Sequence, residues 1–242
     1  MKSVCIATYN GEKFIKEQIE SILSQLDSND EVIVSDACST DNTLAVINSI
    51  KDARIRVLTL TKRASHSKYS VFEKMDNIRY NFENALSHAH GDVIFLADQD
   101  DVWKQNKVSR CVELLKDYVC IVHDCEVFDG KTVTVPSFLD YMKPLQGIVG
   151  TLVKSPFMGC CMAFRRSVLE LSIPMPDIHV EHDTYIGLCA YKIGSVGIIK
   201  EQLIQYRRHG GNASPCADNN PNSLWVKILR RYYMLRSILH KR

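Results

Sequence analysis

The chain lacks most of the signatures that would fix its class at once. No Cys-x-x-Cys pair occurs in its 242 residues, and its nine cysteines are odd in number. Many of them (Cys5, Cys120, Cys160, Cys161, Cys189) sit inside apolar runs. That pattern fits reduced, buried thiols in a cytosol, and it argues against a disulfide framework or a structural zinc site. The pairs His88-x-His90 and His179-x-x-His182 lack partners at zinc-ligand spacing. No Gly-x-Gly-x-x-Gly follows a predicted strand and no P-loop is present, which disfavours a dinucleotide-dependent dehydrogenase and a P-loop NTPase. No apolar run approaches the length that spans a bilayer. Val4-Cys5-Ile6-Ala7 opens a strand at once, so no signal peptide is expected and a cytoplasmic location is. A net charge of only +2 argues against a general nucleic-acid binder.

What is present is a substantial apolar fraction, 45%, enough for one large α/β domain or two small ones. Residues 3–8, 31–35 and 55–60 read as strands. Between them, apolar residues at helical spacing (Phe14, Ile15, Ile19, Ile22, Leu23, Leu26) and a segment capped by Thr40 or Asp41 and running to Ile50 read as helices. Strand–helix–strand–helix–strand is the pattern of a parallel sheet with crossover helices. Residues 61–75 are basic and polar, and a mobile loop is expected there. A helix over 76–90, a strand over Val93–Ala97, a helix over Trp103–Tyr118 and a strand over Val119–His123 follow. From 124 to 180 five prolines break the alternation, leaving a short strand over Gly159–Phe164. A helix over 183–193 and a strand over Gly197–Ile199 resume it.

The densest chemistry is Phe95-Leu96-Ala97-Asp98-Gln99-Asp100-Asp101, an apolar run followed by three carboxylates within four residues. Carboxylates packed this closely repel one another unless a cation is shared, and a hard divalent ion with oxygen ligands relieves the repulsion. The bland alternative is an acidic turn capping the helix from Trp103. Thr8-Tyr9-Asn10 and Asp36 also end predicted strands, and open α/β sheets bind ligands at that edge. There Tyr9 could stack on a base and Asp36 could accept bonds from a base or ribose, or both could be ordinary turn residues.

Five pieces in order carry a resemblance. They are Thr8-Tyr9-Asn10-Gly11; Val34-Ser35-Asp36 with Ser39-Thr40-Asp41-Asn42-Thr43; Ala97-Asp98-Gln99-Asp100-Asp101-Val102-Trp103; Gly159-Cys160-Cys161-Met162-Ala163-Phe164-Arg165-Arg166 with His182-Asp183; and Tyr206-Arg207-Arg208-His209-Gly210-Gly211-Asn212. Over about residues 2–212 the chain resembles glycosyltransferase family 2, and the Asp-Gln-Asp-Asp-x-Trp form is similar to its bacterial rhamnosyltransferase-like members. The resemblance implies a GT-A-like single domain with a mostly parallel twisted sheet flanked by helices. It implies an inverting, metal-dependent transfer from a nucleoside-diphosphate sugar to a glycan hydroxyl in bacterial surface polysaccharide synthesis. Asp98 and Asp100 match the Asp-x-Asp motif for Mn²⁺ or Mg²⁺, with His209 near the metal. Asp183 matches the catalytic base, although a His-Asp pair opening a helix can also be a cap. Thr8, Tyr9, Asn10, Asp36 and Asp98 fall on the nucleotide side, Arg207 and Arg208 on the diphosphate, and His182 and Cys160 on the acceptor. One departure is Ala37-Cys38, where many members carry a second aspartate and then glycine. It leaves UDP, dTDP and GDP donors open.

Within residues 1–222, a nucleotide-binding half is expected over about 1–123 and an acceptor half over about 124–222. Residues 223–242 carry six basic residues and no acid, against 24 basic and 28 acidic residues before them. Leu224 to Leu235 is apolar, aromatic and basic at helical spacing. Such a helix can make peripheral contact with an anionic membrane, where a lipid-linked glycan acceptor would be met, or can pack on the domain. Two other classes stay open: a non-catalytic nucleotide-sugar or glycan-binding protein, and a sugar-nucleotidyltransferase. The latter is expected to carry a Gly-rich, Arg-containing loop after its first strand, and Thr8-Tyr9-Asn10-Gly11 is not one.

Overall fold

Apolar residues that run on without alternation need a strand covered on both faces. Val4 to Ile6, Val32 to Val34 and Ile94 to Ala97 are such runs, and all are fully buried. The computed structural model describes residues 1–60, 69–210, 212 and 224–239. Its first half comprises β1 (Lys2–Thr8), α1 (Ile15–Leu23), β2 (Glu31–Asp36), α2 (Thr43–Ser49), β3 (Ile55–Thr59), α3 (Ser70–Leu86) and β4 (Val93–Asp98). These four strands lie in the order β3-β2-β1-β4 and are all parallel. Thr8 pairs with Asp36, and Ala7 with Asp98. The register therefore ends all three polar clusters at one level of one sheet edge.

The second half comprises β5 (Val102–Trp103), α4 (Lys107–Leu114), β6 (Cys120–Phe128), β7 (Val133–Val135), α5 (Phe138–Met142), α6 (Gly147–Lys154), a single tight turn (Gly159–Cys161), β8 (Met162–Arg165), α7 (Arg166–Ser172), α8 (His182–Ile193), β9 (Val196–Arg207) and α9 (Leu224–Leu239). β8 is antiparallel to both β4 and β6, so the sheet continues unbroken from one half to the other. β6 and β9 are parallel, with register shifts on either side of Asp124. The sheet is thus parallel in its first four strands and mixed beyond them.

Several boundaries differ from the sequence reading. The expected helix from Trp103 is instead a two-residue strand antiparallel to Gln205 and Ile204 of β9, and the helix starts at Lys107. Packing decides this: Trp103 is buried against Phe95 and its N–H donates to Ser21 Oγ. None of Asp98, Asp100 or Asp101 caps that helix. Gly159 to Cys161 form the tight turn, so the expected strand begins only at Met162. The Gly197–Ile199 strand extends to Arg207. Of the loop expected over 61–75, residues 61–68 lie outside the described residues, and the chain is helical from Ser70. Gly211 and residues 240–242 also lie outside them.

Among the described residues the cysteines are free, all buried except Cys38. The paired histidines are engaged separately. His88 contacts Asn84 O, His90 contacts Glu31, His179 contacts Asp76, and His182 stacks on Phe82. No helix among the described residues is long and apolar enough to cross a membrane.

Candidate active site

Gln99 ties the ends of β1 and β4 together. Its Oε1 accepts from Thr8 Oγ1 at 2.6 Å and from Tyr9 N at 2.8 Å. Gly11 is required beside it, because a Cβ there would sit 2.6 Å from Gln99 Oε1. Asn10, in the left-handed region at φ 51°, accepts from Thr40 N at 2.8 Å and donates its own N–H to Ser39 Oγ. Asn10 therefore stitches the first turn to the 36–43 loop, and the Tyr9 ring stands exposed at the rim. Asp36 is fully buried, and its two carboxylate oxygens accept from Ser39 N (2.9 Å) and Ser39 Oγ (2.5 Å). Cys38 adopts φ 59°, a conformation that costs a side-chain-bearing residue roughly 1–2 kcal/mol.

Below this rim lies the acidic cluster. One ligand atom each of Asp98, Asp101 and Cys160 lies within 4.8 Å of the others. Burial, then the charges of Asp100 and Asp183, push the Asp98 carboxyl up to about 7. Asp101 is fully buried and raised well above the carboxylate range by burial and its acidic neighbours. Its Oδ1 accepts Arg207 N at 3.0 Å, while Oδ2 has no hydrogen-bond partner among the described residues. Asp100 Oδ2 meets His209 Nε2 at 2.8 Å and accepts from Asn212 Nδ2 at 3.2 Å.

The end of β9 fastens this cluster. Arg207 donates Nε to Asp100 O at 2.8 Å and Nη2 to Glu17 at 2.5 Å, and its guanidinium lies over the rings of Phe14 and Phe128. That cation is enclosed by protein groups, so it is placed to hold the Asp100–Asp101 turn. Arg208 follows, its N–H donating to Phe128 O.

Asp183 lies in the first turn of α8, but it does not cap that helix in the usual way. Its Oδ2 reaches across to accept Gly159 N at 3.2 Å, and Oδ1 accepts Thr184 N at 2.6 Å. Burial raises it to about 6 against these bonds. Gly159 precedes Cys160, whose thiol borders Asp98. The short Gly159–Cys160 segment thus joins the Asp183 carboxylate to the Asp98 cluster, close enough for Asp183 to raise the Asp98 pKa. Gly159 has no room for more: a Cβ would lie 2.8 Å from His182 Nε2.

The two residues expected on the acceptor side are both buried. His182 is buried, stacked on Phe82 at 4.0 Å between centroids, and desolvation holds it neutral at about 3. Cys160 is wholly buried, its thiol turned to the carboxylates. Sequence reasoning missed Lys107. That fully buried ammonium donates to Cys160 O at 2.8 Å and lies 3.9 Å from the Trp103 ring centroid. Desolvation lowers its pKa, while its charge favours ionised Asp98. Nothing in its sequence setting separates it from a solvated helix lysine.

A divalent cation fits this set. Asp98 and Asp100 offer hard oxygen donors in mutual repulsion, His209 adds a ring nitrogen, and the raised Asp98 pKa reports a site short of positive charge.

The Glycosyl transferase family 2 model matches residues 3–171. The chain belongs to glycosyltransferase family 2. Within the family it is 34% identical to the UDP-Glc:alpha-D-GlcNAc-diphosphoundecaprenol beta-1,3-glucosyltransferase WfaP of Escherichia coli, over 98% of this chain and 86% of WfaP. Solved family-2-like folds superpose on it. S. aureus TarS in complex with UDP-GlcNAc gives a TM-score of 0.69 at 18% identity, covering 99% of this chain and 66% of TarS. The mannosyltransferase PcManGT of Pyrobaculum calidifontis, in complex with GDP-Man and Mn²⁺, gives 0.64 at 17%, covering all of this chain and 65% of its own. The chain spans just under two thirds of these solved chains, and 65% of a curated Nostoc relative to which it is 27% identical. The fold is GT-A.

Proposed function

We propose that this protein is an inverting, metal-dependent glycosyltransferase that moves a sugar from a nucleoside diphosphate to a hydroxyl of a glycan acceptor. One observation carries the reading: the Asp98 carboxyl feels the charges of both Asp100 and Asp183, and the Gly159–Cys160 segment links Asp183 to it. Asp183 takes the proton of the acceptor hydroxyl as that oxygen attacks the anomeric carbon. The bond from that carbon to the diphosphate oxygen breaks with its electron pair on the diphosphate, and displacement from the opposite face inverts the centre. Asp98, Asp100 and His209 would hold Mn²⁺ or Mg²⁺, which when bound supplies Lewis-acid stabilisation of the leaving diphosphate. Arg207 holds the Asp100–Asp101 turn, and Arg208, next along the chain, contacts the diphosphate. Lys107 offsets the buried negative charge from below.

Residues of about 1–123 serve the donor and those of about 124–222 the acceptor. With Ala37 in place of a carboxylate and Asp36 bonded to Ser39, base recognition falls to backbone groups of the 8–11 and 36–39 turns. UDP, dTDP and GDP all remain compatible with it. A surface-polysaccharide acceptor, glycan or lipid-linked glycan, is supported by the lipid-diphosphate acceptor in the name of WfaP. The test is turnover of UDP-, dTDP- and GDP-sugars with a mixed glycan acceptor panel, in Mn²⁺ or EDTA. Release of nucleoside diphosphate with an inverted product, abolished by EDTA, is expected. Binding without turnover of any donor would make the chain a binding protein. Synthesis of nucleotide sugar from a sugar phosphate would make it a nucleotidyltransferase.

A further inference from the structure

The large apolar side chains left exposed are not scattered. Of fourteen among the described residues, six lie on α9 and two more, Val149 and Val153, on α6 beside it. Leu224, Ile228, Tyr232, Leu235 and Leu239 recur at intervals of three and four, so they form one outer stripe, and Trp225 flanks it at 70% exposure. The opposite face is spoken for. Val226, Met234 and Ser237 are buried, Arg230 pairs with Glu181, Arg231 donates to Val153 O, and the Tyr233 ring meets His179 edge-on at 5.0 Å. α9 is thus docked on the domain with an apolar ridge turned outward.

We propose that this ridge seats in the interface of an anionic membrane. Charge selects the occupant. Lys227 and Arg236 are exposed around the ridge, and residues 224–239 contain no acid. Anionic headgroups complement that pattern, with leucine and isoleucine entering the acyl boundary and Trp225 and Tyr232 at the headgroup level. A second copy of the chain would bring the same basic ridge against it, and like charges repel. At sixteen residues α9 spans only about 24 Å, and four basic residues keep it lying on the surface. Glu181, which receives Arg230, stands two residues before Asp183. A seated α9 therefore holds the Asp183 side of the site near the bilayer, where a lipid-linked acceptor would be presented. This last step rests on Asp183 being the base; the membrane contact does not.

The test needs neither donor nor acceptor. The protein has two tryptophans, and Trp103 is buried, so a change of emission on adding vesicles reports Trp225. With mixed phosphatidylglycerol–phosphatidylcholine vesicles the emission is expected to shift to the blue and the protein to co-sediment; with pure phosphatidylcholine it is not. Arg236→Gln should weaken binding roughly fivefold, and added salt should weaken it further. Leu235→Glu should weaken it roughly tenfold or more with a nearly unchanged melting temperature, since Leu235 is 48% exposed and lies outside the buried core. Equal binding to both vesicle types, no binding to either, or a dimer in solution that Leu235→Glu dissolves would each overturn the proposal.

Discussion

Asp98 and Asp183 are both held above the ordinary carboxylate range, at about 7 and about 6, and burial is the first cause for each. A carboxyl raised in the native state favours that state when protonated. Its contribution is full below the unfolded value near 3.8 and is lost as pH rises through the raised pKa. The metal-free protein should therefore lose thermal stability from about pH 4 to about pH 7, and Asp98→Asn should regain it at about pH 8 by roughly 2–4 °C per kcal/mol relieved. A melting temperature lowered by that substitution would contradict the burial argument. In the proposed role of base Asp183 must be ionised, so turnover should fall as pH drops through about 6. Asp183→Asn should lower kcat by roughly 10²–10⁴ with nucleotide affinity unchanged, as measured by calorimetry and steady-state kinetics. At this scale the sequence shows Asp98, Asp100 and Asp183, because clustered carboxylates and motif spacing are local. It hides Lys107 and the burial of Asp101, His182 and Cys160, because those depend on what folds over them.

Two short elements hold the carboxylates in place. The turn Gly159–Cys161 passes so close to α8 that Gly159→Ala should push His182 and loosen the Gly159 N–H bond to Asp183. The expected result is a retained circular-dichroism spectrum with kcat reduced at least roughly tenfold, from a small misplacement of the base. Unchanged kcat would show that this bond does not position Asp183. The end of β9 holds the other side. Arg207→Ala removes a cation enclosed by two rings and an acid, and should cost about 1–3 kcal/mol in denaturant unfolding. Arg207→Lys should recover little, because an ammonium cannot make the forked and stacked contacts together. Elements of the first half are legible in sequence because apolar runs and 3.6-residue periodicity agree there. In residues 138–172 three short helices escaped notice, because prolines and brief segments leave too few residues for a period. Trp103 read as helix because only long-range pairing with β9 makes Val102-Trp103 a strand.

On the scale of the whole molecule, β8 is the strand that makes one site of two halves. Antiparallel to β4 on one side and β6 on the other, it carries the Gly159–Cys160 turn to the end of β4 and leaves α8 facing it. The change in composition near residue 124 is visible in sequence, yet the sheet that runs unbroken across it is not, since strand order is set by pairing between distant segments. The central claim is that one bound donor touches both halves. Crystals grown with Mn²⁺ and a bound nucleoside-diphosphate sugar test it directly, by the anomalous peak of the metal and the position of the anomeric carbon. Manganese is expected on Asp100, with the diphosphate beside it and the sugar turned toward Asp183. Manganese bound away from Asp98 and Asp100, or a sugar facing away from Asp183, would contradict it.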